Sequence, residues 1–129
     1  MQRNMAIHGA DFIAFANDCM SRNDEIGYRN AIARAYYGVY HHVSGMLSNG
    51  PRENHQGLIN YLDTEAWRGN EEFEKNFLRG LSIMLQTMKD KRVMADYDLQ
   101  TTLTITDANE SLKTAKRIME RCQGAVKTA

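Results

Sequence analysis

Apolar residues return every three or four positions along most of this chain, and its single proline, Pro51, leaves long stretches on either side free to be helical. A helix of 3.6 residues per turn gathers such residues on one face, so the spacing calls for packed helices. The longest stripe is Ile32, Tyr36, Val39, Val43 and Leu47, widened by Ala35 and Met46. It predicts a helix over residues 24–48, opened by Asn23-Asp24 and ended by Ser48-Asn49-Gly50-Pro51. A first helix is expected over 11–22, capped by Asp11, with Phe12, Phe15 and Cys19 inward.

A short third helix over 53–63 places His55, Leu58, Ile59 and Leu62 on one side, and 64–70 reads as a loop carrying Trp67. The fourth, over 71–95, repeats Phe77, Leu81, Met84, Leu85 and Met88, with Glu71, Glu72 and Glu74 at its dipole-positive end. A polar loop over 96–104 follows. Thr106 then caps a fifth helix with Ala108, Leu112, Ala115, Met119 and Cys122 at a/d spacing. Residues 124–129 are expected to fray. Strand-like alternation and internal repeats are absent from the pattern. Long helices with short connections give an all-α, up-and-down bundle of four to five helices. The 129 residues fit one domain, with its core over about 10–123.

Charge narrows the function. Sixteen basic residues balance sixteen acidic ones. A general coat for duplex nucleic acid carries a clear basic excess, because phosphate neutralisation supplies most of its affinity. A local basic cleft is still open, since Lys89, Lys91 and Arg92 are neighbours and Lys113, Lys116, Arg117 and Arg121 load the last helix. Cys19 and Cys122 are too few and too distant for a zinc site or disulfide framework, and read as small core residues. The apolar runs are too short to span a membrane, and the N-terminus lacks a signal-peptide core. A cytoplasmic protein is expected. No glycine loop for phosphate, nucleophile elbow or metal-binding helix motif is present, and no metal or cofactor is expected.

Some polar residues stand where the pattern asks for apolar ones. Arg92 continues the inner stripe of the fourth helix, four past Met88 and seven past Leu85. An inward arginine needs an acidic partner, a ligand phosphate or a wet cleft, and Asp96 is one turn away. Asn30, Arg34, Gly38, His41 and Gly45 share a ridge of the second helix. Its two glycines signal close approach, by another helix or by a ligand. Tyr36, Tyr37 and Tyr40 suit either base stacking or core filling. His55 on an apolar face is either a hydrogen-bonded core residue or a catalyst.

Three of these segments resemble a known family. Arg34-Ala35-Tyr36-Tyr37-Gly38-Val39-Tyr40-His41 resembles the Arg-Ala-Tyr-Tyr-Ala-x-Phe-His signature of small prokaryotic HEPN (higher eukaryotes and prokaryotes nucleotide-binding) proteins. Asn54-His55-Gln56-Gly57-Leu58-Ile59 is similar to that group's Lys-His-Ser-x-Val-Ile segment, and Arg92-Val93-Met94-Ala95-Asp96-Tyr97 to its Arg-x-x-Ala-Asp-Tyr motif. The likeness runs over about 21–122. It implies a helical bundle, commonly a homodimer, directed at RNA or a nucleotide. Many members are metal-independent ribonucleases of toxin–antitoxin or antiviral defence systems. Others are non-catalytic partners of minimal nucleotidyltransferases, which makes a nucleotidyltransferase-type antitoxin or a neighbour-encoded protein an expected partner here.

In the nucleases an Arg-x4–6-His motif from each subunit meets at the dimer cleft, where arginine holds the scissile phosphate and histidine moves protons. By that resemblance Arg34 and Arg92 would bind phosphate, with His41 or His55 as the proton-transfer residue. Asn30, Tyr37, Lys89, Asp96 and Tyr97 would bind or orient the ligand. No histidine follows Arg92 within six residues, where Asp96 and Tyr97 stand instead. Six residues do separate Arg34 from His41.

Overall fold

The computed structural model describes residues 5–127 and, among them, only helices and their connections. These are α1 (Gly9–Cys19), α2 (Glu25–Met46), α3 (His55–Thr64), α4 (Lys75–Tyr97) and α5 (Ile105–Gly124), packed as an all-helical bundle. The 3₁₀ turn Met20–Arg22 joins α1 to α2, and a wide helical turn, Ala66–Asn70, stands where a plain loop was expected. No described helix is long and apolar enough to cross a membrane. The chain from Ala125 leaves α5 in extended conformation, and residues 128–129 of the expected frayed tail lie outside the described residues.

The long stripe of α2 makes the core. Ile32, Tyr36, Val39, Val43 and Leu47 are all buried, and α2 packs on α1, α4 and α5 while α3 lies on α4. Leu58, Ile59 and Leu62 meet Leu78, Leu81 and Leu85 across the α3–α4 seam, which the Ser82 hydroxyl closes by donating to the Ile59 carbonyl at 2.8 Å.

Several expectations are corrected. The cap of α1 is His8, and Asp11 sits at the third helical position, where its carboxylate accepts from the His8 amide at 2.7 Å. Large aromatics do not dock this helix. Its buried residues are Gly9, Ala16 and Cys19, whereas Phe15 is 54% exposed and Phe12 is half-buried. The cause is a close backbone crossing: a methyl group on Gly38 would lie 2.7 Å from the Gly9 carbonyl oxygen and 2.5 Å from Ile13 Cγ1. Two backbones that close leave no room for rings between them. Gly45, the other ridge glycine, has open space around it.

Glu71 does not begin α4, which is capped instead by the Glu74 side chain. Its buried carboxylate accepts from the amides of Ser48 and Asn49 at 2.7 and 2.8 Å and from the Tyr61 hydroxyl at 2.6 Å, tying the α2–α3 connection to α3. Helix α4 reaches Tyr97, so Asp96 and Tyr97 are helical. Finally, Thr104 caps α5 with Asp107 in a capping box. The buried seam there is Ala108, Ser111, Ala115, Ile118 and Cys122, with Leu112 and Met119 turned toward a groove against α1.

One buried cation had no place in the sequence pattern as read. Arg29 is 7% exposed and spans from α2 to the end of α4. Its Nε donates to Glu25 at 2.9 Å, Nη1 to the Ala95 carbonyl at 3.0 Å, and Nη2 to the Thr101 carbonyl. Glu25 also accepts from the Leu103 amide, so this pair fixes the α4–α5 connection. The backbone and Arg29 hydrogen bonds hold the Glu25 carboxyl below its ordinary range.

Candidate functional site

The three family-like segments converge at the α2–α3–α4 junction. Tyr36 on α2 is fully buried, and its hydroxyl lies 2.8 Å from His55 Nδ1 on α3. The Tyr40 ring lies against the same imidazole, centroids 4.0 Å apart. From α4, the Arg92 guanidinium reaches over the rings of Tyr36 and Tyr37, at 5.5 and 5.6 Å from their centroids. One turn before it, Lys89 Nζ donates to Gln56 Oε1 at 2.8 Å. His55, Arg92, Tyr37, Lys89 and Asp96 are therefore brought together. Gln56, Tyr36 and Tyr40 join them, although the resemblance gave none of these three a role; Gln56 follows His55 directly and was the readable hint.

Arg92 is the unusual member. Its side chain is only 11% exposed, yet among the described residues its one ion contact is to Asp96, at 3.7 Å, longer than a hydrogen bond. Its Nε is buried with no hydrogen-bond partner, as is the Tyr40 hydroxyl. Buried polar groups are normally paired, so two unpaired ones at one junction mark it out.

The histidine is held neutral. Burial lowers its pKa first, and the nearby charges of Arg92 and Lys89 lower it further. Burial also keeps the Tyr36 hydroxyl protonated. That hydroxyl makes no other hydrogen bond among the described residues, so it donates to Nδ1, which assigns the imidazole proton to Nε2. His55 thus presents an N–H outward, beside Arg92 and Lys89. The arrangement suits an anion: Arg92 and Lys89 flank a neutral imidazole donor over aromatic faces, and the one nearby carboxylate, Asp96, meets Arg92 only loosely.

The remaining predicted residues lie apart from this centre. His41 packs on Phe12 and Tyr40, with centroids 5.2 and 5.4 Å away, and Arg34 sits over the other partner of Arg92, the Tyr37 ring, at 5.0 Å. Arg34 and His41 are two turns, about 10 Å, apart along α2. Each engages its own ring, so no joint grip is formed. Asn30 donates to the Ile26 carbonyl and faces α1. Tyr97 is 74% exposed and outside the cluster.

Cys19 and Cys122 are free and buried, and burial pushes the Cys122 thiol up to about 11, which makes it a poor nucleophile at neutral pH. Among the described residues no three His, Cys, Asp or Glu side chains are arranged to hold a metal. No family model, curated protein or solved structure matches the chain.

Proposed function

We propose that this chain is an RNA-directed, HEPN-like protein that grips the phosphate backbone of a single strand at the Arg92–His55–Lys89 junction. The observation that carries the reading is Arg92, a nearly buried guanidinium with an unpaired Nε and a 3.7 Å contact to Asp96. Desolvating a cation without completing its hydrogen bonds is costly, and a phosphate oxygen at the Nη groups, which make no hydrogen bond among the described residues and are not enclosed as Nε is, would offset part of that cost. The chain has no net charge. The affinity it can offer a polyanion is therefore local.

Cleavage of the bound strand is the second reading, favoured by His55 standing beside Arg92 with an exposed N–H. In the free protein that nitrogen is a donor, suited to steadying a phosphate oxygen. Acting as a base would require its proton to pass to Nδ1 and the Tyr36 hydroxyl to turn away. Binding comes first, and a homodimer or a nucleotidyltransferase-type partner would act on this same site.

The test is titration of labelled single-stranded RNA with wild type, Arg92→Met and His55→Gln at several salt concentrations, together with RNA incubation in EDTA. The reading expects salt-dependent binding that Arg92→Met weakens while the fold persists, with a log–log salt slope near −0.7 per phosphate engaged. Cleavage in EDTA lost in both variants would establish the ribonuclease. Undetectable binding by folded wild type would remove the proposal.

A further inference from the structure

The cluster at Arg92 is continuous, through the Tyr37 ring, with a groove between α1 and α2. Arg92 and Arg34 approach that one ring to 5.6 and 5.0 Å. Arg34 then lines a cavity of about 340 Å³ together with Ile7, Asp11, Phe12, Phe15 and Asn30. That volume is within the usual range for a small-ligand pocket.

Three features of the groove describe its occupant. Phe15 and Ile7 are 54% and 55% exposed, so flat apolar surface stands open to solvent. Arg34 makes no hydrogen bond or ion pair among the described residues, whereas Arg22, Arg29, Arg52 and Arg79 all have partners. The lining carboxylate does not answer it: Asp11 Oδ2 accepts from the His8 amide at 2.7 Å in the cap of α1. Asn30 uses Nδ2 to reach the Ile26 carbonyl at 2.9 Å and leaves Oδ1 free to accept.

We infer that this groove receives an unstacked nucleobase of the same strand whose phosphate lies at Arg92, an inference that rests on the RNA-binding reading. A base offers a flat face to phenylalanine, donors to an amide oxygen and an attached phosphate to a guanidinium. An apolar side chain of a protein partner would satisfy the phenylalanines but leave Arg34 and the Asn30 oxygen to be desolvated without partners, which is unfavourable.

Fluorescence anisotropy with a short, labelled, single-stranded RNA and with an abasic strand of equal length tests this, since both strands carry the same charge. Wild type should bind the base-bearing strand about tenfold or more tightly, the usual worth of base–aromatic stacking. Phe15→Ala, at an exposed position, should bring the two strands to equal affinity. Arg92→Met should weaken both and keep their ratio. Equal binding of the two strands by wild type would overturn the base site and spare the phosphate reading, whereas binding of neither would overturn both. If Phe15→Ala instead lowers the sedimentation coefficient and leaves the strand ratio intact, the groove is a protein contact and the inference falls.

Discussion

Arg29 and Arg92 both point into the bundle from long helices, and the protein treats them oppositely. Arg29 spends its donors on Glu25 and on the Ala95 and Thr101 carbonyls, so its charge is enclosed by acceptors. Arg92 is similarly withdrawn from solvent, but lies over two tyrosine rings with a loose ion contact and an idle Nε. A cation whose valences are filled internally holds structure. On the RNA-binding reading, one whose valences are left open while water is largely excluded awaits a ligand. Catalytic and binding groups are commonly kept at some expense of stability, and the contrast separates the two roles within one fold.

The largest consequence is thermodynamic. Arg29→Ala should cost about 3 kcal/mol, because it removes several charge-assisted hydrogen bonds and leaves the Ala95 carbonyl unpaired where it is buried. Urea unfolding measures this, and hydrogen exchange should show the 98–104 connection opening first, since Arg29 and Glu25 hold it through Thr101 and Leu103. A loss below about 1 kcal/mol would mean that the Arg29 network is not the staple its geometry describes.

Arg92→Met should behave in the opposite way. The methionine replaces a poorly paired charge with apolar volume, so stability should change by less than about 1 kcal/mol in either direction. RNA affinity should fall by roughly ten- to a hundredfold, the worth of a charge-assisted phosphate contact. The two-arginine comparison fails if Arg92→Met unfolds the chain as badly as Arg29→Ala does.

How much of this was readable from the residues follows the same division. Arg92 was legible because it continues a stripe that Leu85 and Met88 had begun, and Asp96 was visible one turn beyond it. Arg29 carried the same signal in reverse, three residues before Ile32 and seven before Tyr36. Its partners are main-chain carbonyls more than sixty residues away, and a carbonyl has no letter of its own in a sequence. The seam of α5 failed for a different reason. Ala108, Ala115 and Cys122 belong to both candidate faces, and only the placement of α1 and α2 decides for Ser111 and Ile118 against Leu112 and Met119. On α1, the spacing found a face but not that glycines at positions 9 and 38 would make it a small-residue one.

Acid should expose a smaller difference. His55 has its pKa lowered in the folded state by burial and by nearby cations, so the unfolded chain binds its proton more readily. Its contribution is therefore intact above the ordinary histidine value of 6.5 and is lost as pH falls below it, levelling off beneath the folded pKa. His42, lowered by burial alone, acts in the same direction. Urea titrations between about pH 7.5 and about pH 5 should show stability falling. His55→Gln should flatten part of that fall; an unchanged slope would mean that His55 is no more neutral than in the unfolded chain.

The smallest effect is the most specific to the pairing of Arg92 with His55. Burial is the leading cause of the histidine's low pKa and Arg92 the next. Replacing Arg92 by methionine should thus move the His55 titration upward while leaving it below 6.5, because the burial persists. NMR titration of the imidazole protons reads this directly. Saturating RNA should also raise the His55 pKa, since a phosphate placed at Arg92 brings negative charge to a histidine whose neighbours Arg92 and Lys89 are positive. An upward shift with methionine and none with RNA would leave Arg92 beside His55 but remove the phosphate from between them. That outcome would make Arg92 a second structural arginine after all, one held by two tyrosine rings instead of by carbonyls.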